Sequence, residues 1–249
     1  MDTKDMRFLN THISNLNMDE VKEFIDERVN SRIPAHIVSL KVDQVVKIEK
    51  NKEFAKIVKD AELVITDGTP LIWISKIRKT PIHTKIDGPR LGEESIKHAA
   101  KRGYSVFLLG AKDGVAVKAA KELVRKYKEL KIAGTYSPPF GFEKNEEEIE
   151  HINNLLRESK ADILIVGLSA PKQEIFVYNN MINYQIPISI SLGAAIDFYA
   201  GNIKRAPEWV NKCGLEWLYR FFKEPKRLFR RYFVDDIKIF KIVRKYKAD

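Results

Sequence analysis

The chain has 249 residues, 44% of them hydrophobic and 31% charged, with a single cysteine, Cys213. A chain this long buries roughly 70–75% of its unfolded surface and needs no staple to fold, and one cysteine excludes a disulfide framework. The 44 Lys and Arg outweigh the 34 Asp and Glu by +10, yet residues 201–249 hold 14 basic and 6 acidic side chains while residues 1–200 are nearly neutral at 30 and 28.

The apolar pattern alternates between strand and helix. Arg7–Ile13 reads as a short strand, followed by a helix from Met18 to Asn30 with Asn17 as N-cap. Ala35–Leu40 is a strand, Asp43–Ala61 a helix, and Glu62–Thr66 a buried strand. Thr69-Pro70 opens the next helix, with Thr as N-cap and Pro at its first position. Helices over Gly92–Arg102, Gly114–Tyr127, Asn145–Ser159 and Gln173–Met181 alternate with strands over Tyr104–Leu109, Lys131–Tyr136, Ala161–Val166 and Pro187–Leu192. From Pro207 onward the pattern is helical, broken at Glu224-Pro225. This predicts an α/β fold: a mostly parallel, Rossmann-like sheet with helices on both faces. Residues 1–200 form that core, and 201–249 a helical C-terminal appendage.

No apolar run reaches the ~18 residues of a membrane span, and Met1–Asn10 lacks the apolar stretch of a signal peptide. The expected location is therefore cytoplasmic, with any membrane contact peripheral.

Open parallel sheets bind ligands beyond the carboxyl ends of their strands. Four predicted strand ends carry polar or glycine-rich sequence: Thr66-Asp67-Gly68, Gly110 to Gly114, Gly167 to Glu174, and Gly193 to Asp197. Neither the dinucleotide fingerprint nor the P-loop is present. Asp67 follows an apolar run and precedes a glycine. That placement suits a general base and equally a turn-capping carboxylate. Gln173 is placed to hold a polar ligand, and Glu174 reads as a capping or solvated residue. Asp197 follows small residues that leave room for a ligand, and also fits a helix start. Thr66, Gly68, Gly110 and Tyr136, all at strand ends, complete the candidate contacts. The five histidines are scattered without metal-ligand spacing, and no Asp-x-Asp follows a strand. Cys213 reads as packing rather than nucleophile.

The tail mixes aromatic and basic residues. Arg220, Lys223, Lys226, Arg227, Arg230 and Arg231 place six cations within twelve residues, which predicts an anionic partner. Beside Trp217, Phe221, Phe222, Phe229 and Phe233, that pattern suits an anionic membrane surface. The adjacent Asp235-Asp236 reads as an intrahelical charge partner.

Four blocks then carry a resemblance: ITDGTPLIW (65–73), VFLLGAKDG (106–114), VGLSAPKQE (166–174) and the long SLGAAIDFYAGNIKRAPEWVNKCGLEWLYRFFKEPKRLFRRYF (191–233). In this order they resemble the WecG/TagA/CpsF family of bacterial glycosyltransferases, glycosyltransferase family 26, over about Arg7 to Phe233. The resemblance implies inverting transfer of a sugar from a UDP-sugar to an undecaprenyl-diphosphate-linked sugar, for teichoic acid or polysaccharide synthesis. It implies no metal cofactor and an appendage that approaches the inner face of the membrane. It makes Asp67 the general base, turns Gln173 toward the sugar, puts Asp197 near the uracil, and sets Arg220, Arg227 and Arg230 against diphosphates. Three positions depart from the family pattern. Ser39 and Lys41 stand where the family commonly has Thr and Asn, and Lys85 where it has Arg. Lys41 replaces an amide with a cation, which suits an acidic sugar or a phosphate. The expected donor sugar is N-acetylmannosamine, with a glucosyl or uronosyl transferase as the alternative; a homo-oligomer is compatible with either. A nucleic-acid-binding protein using the basic tail is the rival from another class, but it leaves Asp67 and the glycine-rich strand ends without a role.

Overall fold

A computed structural model describes residues 5–82, 86–203, 207, 210, 216–223 and 225–246; the side chains of Glu216, Arg220 and Arg227 fall outside that description. Trp209, Cys213 and Lys85 also lie outside the described residues.

The chain opens on an antiparallel hairpin rather than a single strand: β1 (Asp5–Phe8) pairs with β2 (Thr11–Ser14). The reversal falls at Leu9, whose φ of 54° is left-handed, a conformation for which leucine gives no sequence signal. Helix α1 (Met18–Ser31) starts at Asn17, which accepts from the backbone N–H of Asp19 and Glu20 in a capping box. Strand β3 (Ala35–Leu40) is fully buried. The stretch expected as one long helix is two, α2 (Val42–Lys50) and α3 (Lys52–Asp60). Asn51 divides them: its N–H closes α2 on Lys47 O at 2.9 Å, and its side chain caps α3 on Phe54 N at 3.0 Å. After β4 (Leu63–Thr66), helix α4 (Thr69–Ile77) is capped by Gly68 rather than Thr69. Gly68 has φ of 116°, which glycine adopts without the penalty a side chain would bring.

Helix α5 (Gly88–Arg102) begins a turn earlier than the pattern suggests, because Asp87 caps Arg90 N at 2.9 Å. Then follow β5 (Ser105–Gly110), α6 (Val115–Lys126), β6 (Lys131–Tyr136), α7 (Glu146–Ser159), β7 (Ile163–Gly167), α8 (Lys172–Tyr184), β8 (Ile188–Ser191) and the short α9 (Ala195–Tyr199).

Six strands form one parallel sheet in the order β4-β3-β8-β7-β5-β6. Side chains alternate between its faces, so Ile37, Ile163, Ile165 and Ile190 meet α1, α5, α6 and α9 on one side. On the other, Val38, Leu40 and Val64 meet the hairpin with α2 and α3, and Leu164 and Val166 meet α7 and α8. Both faces are covered, which is why the strands read as continuous apolar runs.

The tail is more broken than a pair of helices. Segments Glu216–Lys223 and Pro225–Arg230 lead into a π-helical turn, Arg231–Asp235, a 3-10 turn, Asp236–Lys238, and a last helix, Ile239–Lys245. That last helix joins the body. Ile239 and Ile242 are buried in the same cluster as Phe8, Leu9, Val45 and Ile48. Lys245 Nζ lies 2.5 Å and Tyr246 Oη 3.0 Å from the Glu49 carboxylate, and Arg78 donates to Val243 O at 3.1 Å. Among the described residues no helix is long and apolar enough to cross a membrane.

Candidate active site

The sheet register builds the site. Ser39 stands beside Ile65 and Leu40 beside Thr66, so β3 and β4 end together. Asp67 continues the ladder one residue further, its N–H donating to Leu40 O at 2.7 Å. This fixes the Asp67 side chain at the mouth of the sheet. Its Oδ2 accepts from Ser39 Oγ at 3.0 Å and lies 2.9 Å from Lys41 Nζ, and the Gly88 N–H donates to the same carboxylate. The side chain is only 11% exposed. Burial pushes the carboxyl group up, but the Lys41 charge and the bonds from Lys41, Gly88 and Ser39 outweigh it, so Asp67 sits below the usual carboxylate range. Gly88 can approach because it has no side chain. A Cβ there would fall 2.5 Å from Asp67 Oδ2 and 2.8 Å from Ser39 Oγ.

Beneath this group lies a buried amide-carboxylate network. Glu174 Oε1 accepts from Gln44 at 2.8 Å and from Gln173 at 2.7 Å. Gln173 Oε1 accepts from Gly193 N at 2.9 Å, and Gln44 Oε1 from Lys41 N at 2.8 Å. The network thereby ties the ends of β3, β7 and β8 together. Burial pushes the Glu174 carboxyl up, only partly offset by its bonds and by Lys41 and Lys47. Glu174 is therefore a buried member of the site floor, not the capping or solvated residue its position suggested.

These ends frame a cleft of about 640 Å³. Lys41, Asp67, Gln173 and Asp197 line it, together with Gly167, Gly193 and Ser169. The tail supplies one wall through Arg231 and Asp235. Arg231 lies 2.5 Å from Asp43 Oδ1, while Lys47 binds Asp43 Oδ2 at 3.0 Å and Ala170 O at 2.9 Å. Asp236, 3.9 Å from Arg231, is pushed up to about 7, chiefly by burial, with Asp43 and Asp235 adding repulsion.

Four of the sequence candidates thus converge, whereas Lys85 and the side chains of Arg220 and Arg227 lie outside the described residues. Ser39 supports Asp67 from beneath. Thr66 is buried at the end of β4, and Gly68 caps α4. Gly110 packs against the backbone of Gly167, where a Cβ would meet the carbonyl oxygen at 2.6 Å, so it permits strand contact and is not part of the cleft lining. Tyr136 lies on edge strand β6, away from the cleft lining, with its hydroxyl donating to Glu148 at 2.7 Å. Arg230 is exposed and absent from the lining; its neighbour Arg231 occupies that position. Arg231 also has acidic partners within the fold, so it does not require an external anion as the charge run suggested. Sequence reasoning missed Gln44, Gly88, Asp43 and Lys47. The only local signal was the i,i+4 spacing of Asp43 and Lys47.

Two of the described histidines hold structural places. His36 is buried against Ser191 at 2.9 Å and is pushed down to about 3 by burial, and His98 pairs with Asp26 at 2.8 Å. Among the described residues no group of three or more His, Cys, Asp or Glu is placed to hold a metal ion. Tail side chains Phe222, Phe229, Phe233, Ile237 and Phe240 are exposed, with Phe222 at 72%.

A parallel open sheet whose strand ends frame a polar cleft around a fixed carboxylate defines a Rossmann-like α/β enzyme fold. The chain belongs to the glycosyl transferase WecG/TagA/CpsF family, whose model matches residues 6–249, and it is a glycosyltransferase. It is 25% identical over 214 residues to N-acetylglucosaminyldiphosphoundecaprenol N-acetyl-beta-D-mannosaminyltransferase of Bacillus subtilis (strain 168), covering 86% of this chain and 81% of that protein.

Proposed function

We propose that this chain transfers N-acetylmannosamine, with inversion, from a UDP-sugar to undecaprenyl-diphosphate-linked N-acetylglucosamine. Asp67 is the general base. Its carboxylate stands at the cleft mouth, fixed by Ser39 and Gly88, and this one observation carries the reading. The acceptor hydroxyl gives its proton to Asp67 as its oxygen attacks the anomeric carbon. The bond from that carbon to the β-phosphate oxygen breaks, and its electron pair leaves with UDP. Attack from the face opposite the leaving group inverts the centre. In this reading Gln173 holds the sugar and Asp197 the uracil; that both line the cleft supports it. No metal cofactor is required: protein cations meet the diphosphates.

The donor and acceptor follow the name of the Bacillus subtilis relative. The tail supports a peripheral location on the inner face of the membrane. Its exposed aromatics stand beside exposed Lys223, Lys226, Arg230, Lys241 and Arg244, and each such cation is worth on the order of 1 kcal/mol near an anionic surface.

A panel of UDP-sugars, incubated with a short-chain prenyl-diphosphate N-acetylglucosamine and read by mass, tests the reaction. Extension by N-acetylmannosamine is expected, and extension only by a glucosyl or uronosyl unit would replace the sugar. Asp67→Asn should keep UDP binding and lose transfer by about a hundredfold or more. Retained turnover would remove Asp67 as base.

A further inference from the structure

A base held in an ion pair is a poor base. Lys41 lies 2.9 Å from the Asp67 oxygen, and while it stays there it opposes protonation of the carboxylate. Asp67 does not depend on this contact for its position, because Ser39 Oγ and the Gly88 N–H hold it independently. Lys41 itself is anchored at the backbone, where its N–H donates to Gln44. Its side chain therefore can move without disturbing either wall. Of the cleft's other cations, Lys47 and Arg231 both bind Asp43, and Lys50 stands within electrostatic reach of Asp235. The charged groups facing the pair are Asp43, Lys47 and Lys50 on α2, Glu174 on α8, Asp197 on α9, and Arg231 with Asp235 in the tail.

We infer that Lys41 exchanges partners during the reaction, leaving the Asp67 carboxylate for the diphosphate of the nucleotide donor. This role rests on the UDP-sugar reading above. Donor binding then frees Asp67 to take the acceptor proton. As the carbon–oxygen bond breaks, Asp67 loses its negative charge to that proton and UDP gains one with the departing electron pair. One lysine follows the charge from base to leaving group. An ammonium on a flexible stem suits that movement better than a rigid guanidinium fork.

Lys41→Asn and Lys41→Arg test this by calorimetric titration with UDP and with uridine, alongside the pH dependence of kcat/KM. Lys41→Asn should weaken UDP about tenfold and leave uridine unchanged, with Lys41→Arg recovering part of the loss. The acid limb of kcat/KM should move up by about one pH unit in Lys41→Asn, since Asp67 no longer faces a cation, while kcat falls. Equal UDP affinity in wild type and Lys41→Asn would overturn the exchange. So would an equal loss for uridine, which would mean a damaged cleft, or an unmoved acid limb. If the wild type bound no UDP at all, the UDP-sugar reading would fall first and take this one with it.

Discussion

Gly88→Ala displaces the base while leaving its carboxylate in the chain. A Cβ at position 88 would sit 2.5 Å from Asp67 Oδ2 and 2.8 Å from Ser39 Oγ. An ordinary contact is roughly 3.5 Å, so the carboxylate or the first turn of α5 must give way by about 1 Å. Either movement breaks the bond from the Gly88 N–H, and the first also strains the contacts with Ser39 and Lys41. Misplacing a reacting group by about 1 Å costs on the order of a hundredfold in rate, or about 2.7 kcal/mol in the barrier. Overpacking costs roughly 1–3 kcal/mol of stability, which a domain of this size survives. The assay is initial-rate transfer from the UDP-sugar, with thermal unfolding and UDP titration on the same sample. A folded variant that binds UDP but turns over about a hundredfold more slowly is expected. A folded variant with wild-type turnover would refute the claim that Gly88 sets the position of the base.

Two predictions concern the tail. The Asp236 carboxyl titrates near 7 in the fold against an ordinary 3.8, so the folded chain retains a proton that the unfolded chain releases. Stability should therefore fall as pH rises from about 4 to 7, and Asp236→Asn should flatten that slope and gain about 2–4 kcal/mol at pH 8 with little change at pH 4; urea unfolding at the two pH values measures it, and an equal difference at both would contradict the assignment. Ile242→Ala should cost about 2–4 kcal/mol in the same measurement, because its side chain is buried with Phe8 and Val45; an unchanged midpoint would mean that the last helix does not contribute to the core.

The parallel sheet was legible because its strands announce themselves. Ala35–Leu40 and Lys131–Tyr136 match the observed bounds, since apolar or β-branched runs end abruptly at polar residues. Boundaries failed where side chains act on the backbone. Asn51 looks like one more polar position in a helical pattern, yet it stops one helix and caps the next. Leu9 turns the first hairpin with no glycine or proline to mark it. In the site, residues at strand ends could be found because their address is local: Asp67, Gln173 and Asp197 all converge on the cleft, where Lys41, noted only as a departure from the family pattern, joins them. Residues defined by distant partners could not. Gln44 meets Glu174 across 130 positions and Arg231 meets Asp43 across 188, separations that no periodicity encodes.

Helix α2 belongs to two structures at once. Its N-cap Lys41 and first-turn residues Asp43 and Gln44 face the cleft, while Val45, Ile48 and Glu49 face the hairpin and the end of the chain. It is nine residues long, about 13 Å, and too short to flex much along its length. The C-terminal stretch cannot be treated as a detachable accessory. Shortening the chain before Ile239 would bare Val45 and Phe8 and leave Glu49 without Lys245, so a truncated enzyme would report a wounded scaffold as much as a missing contact with its surroundings.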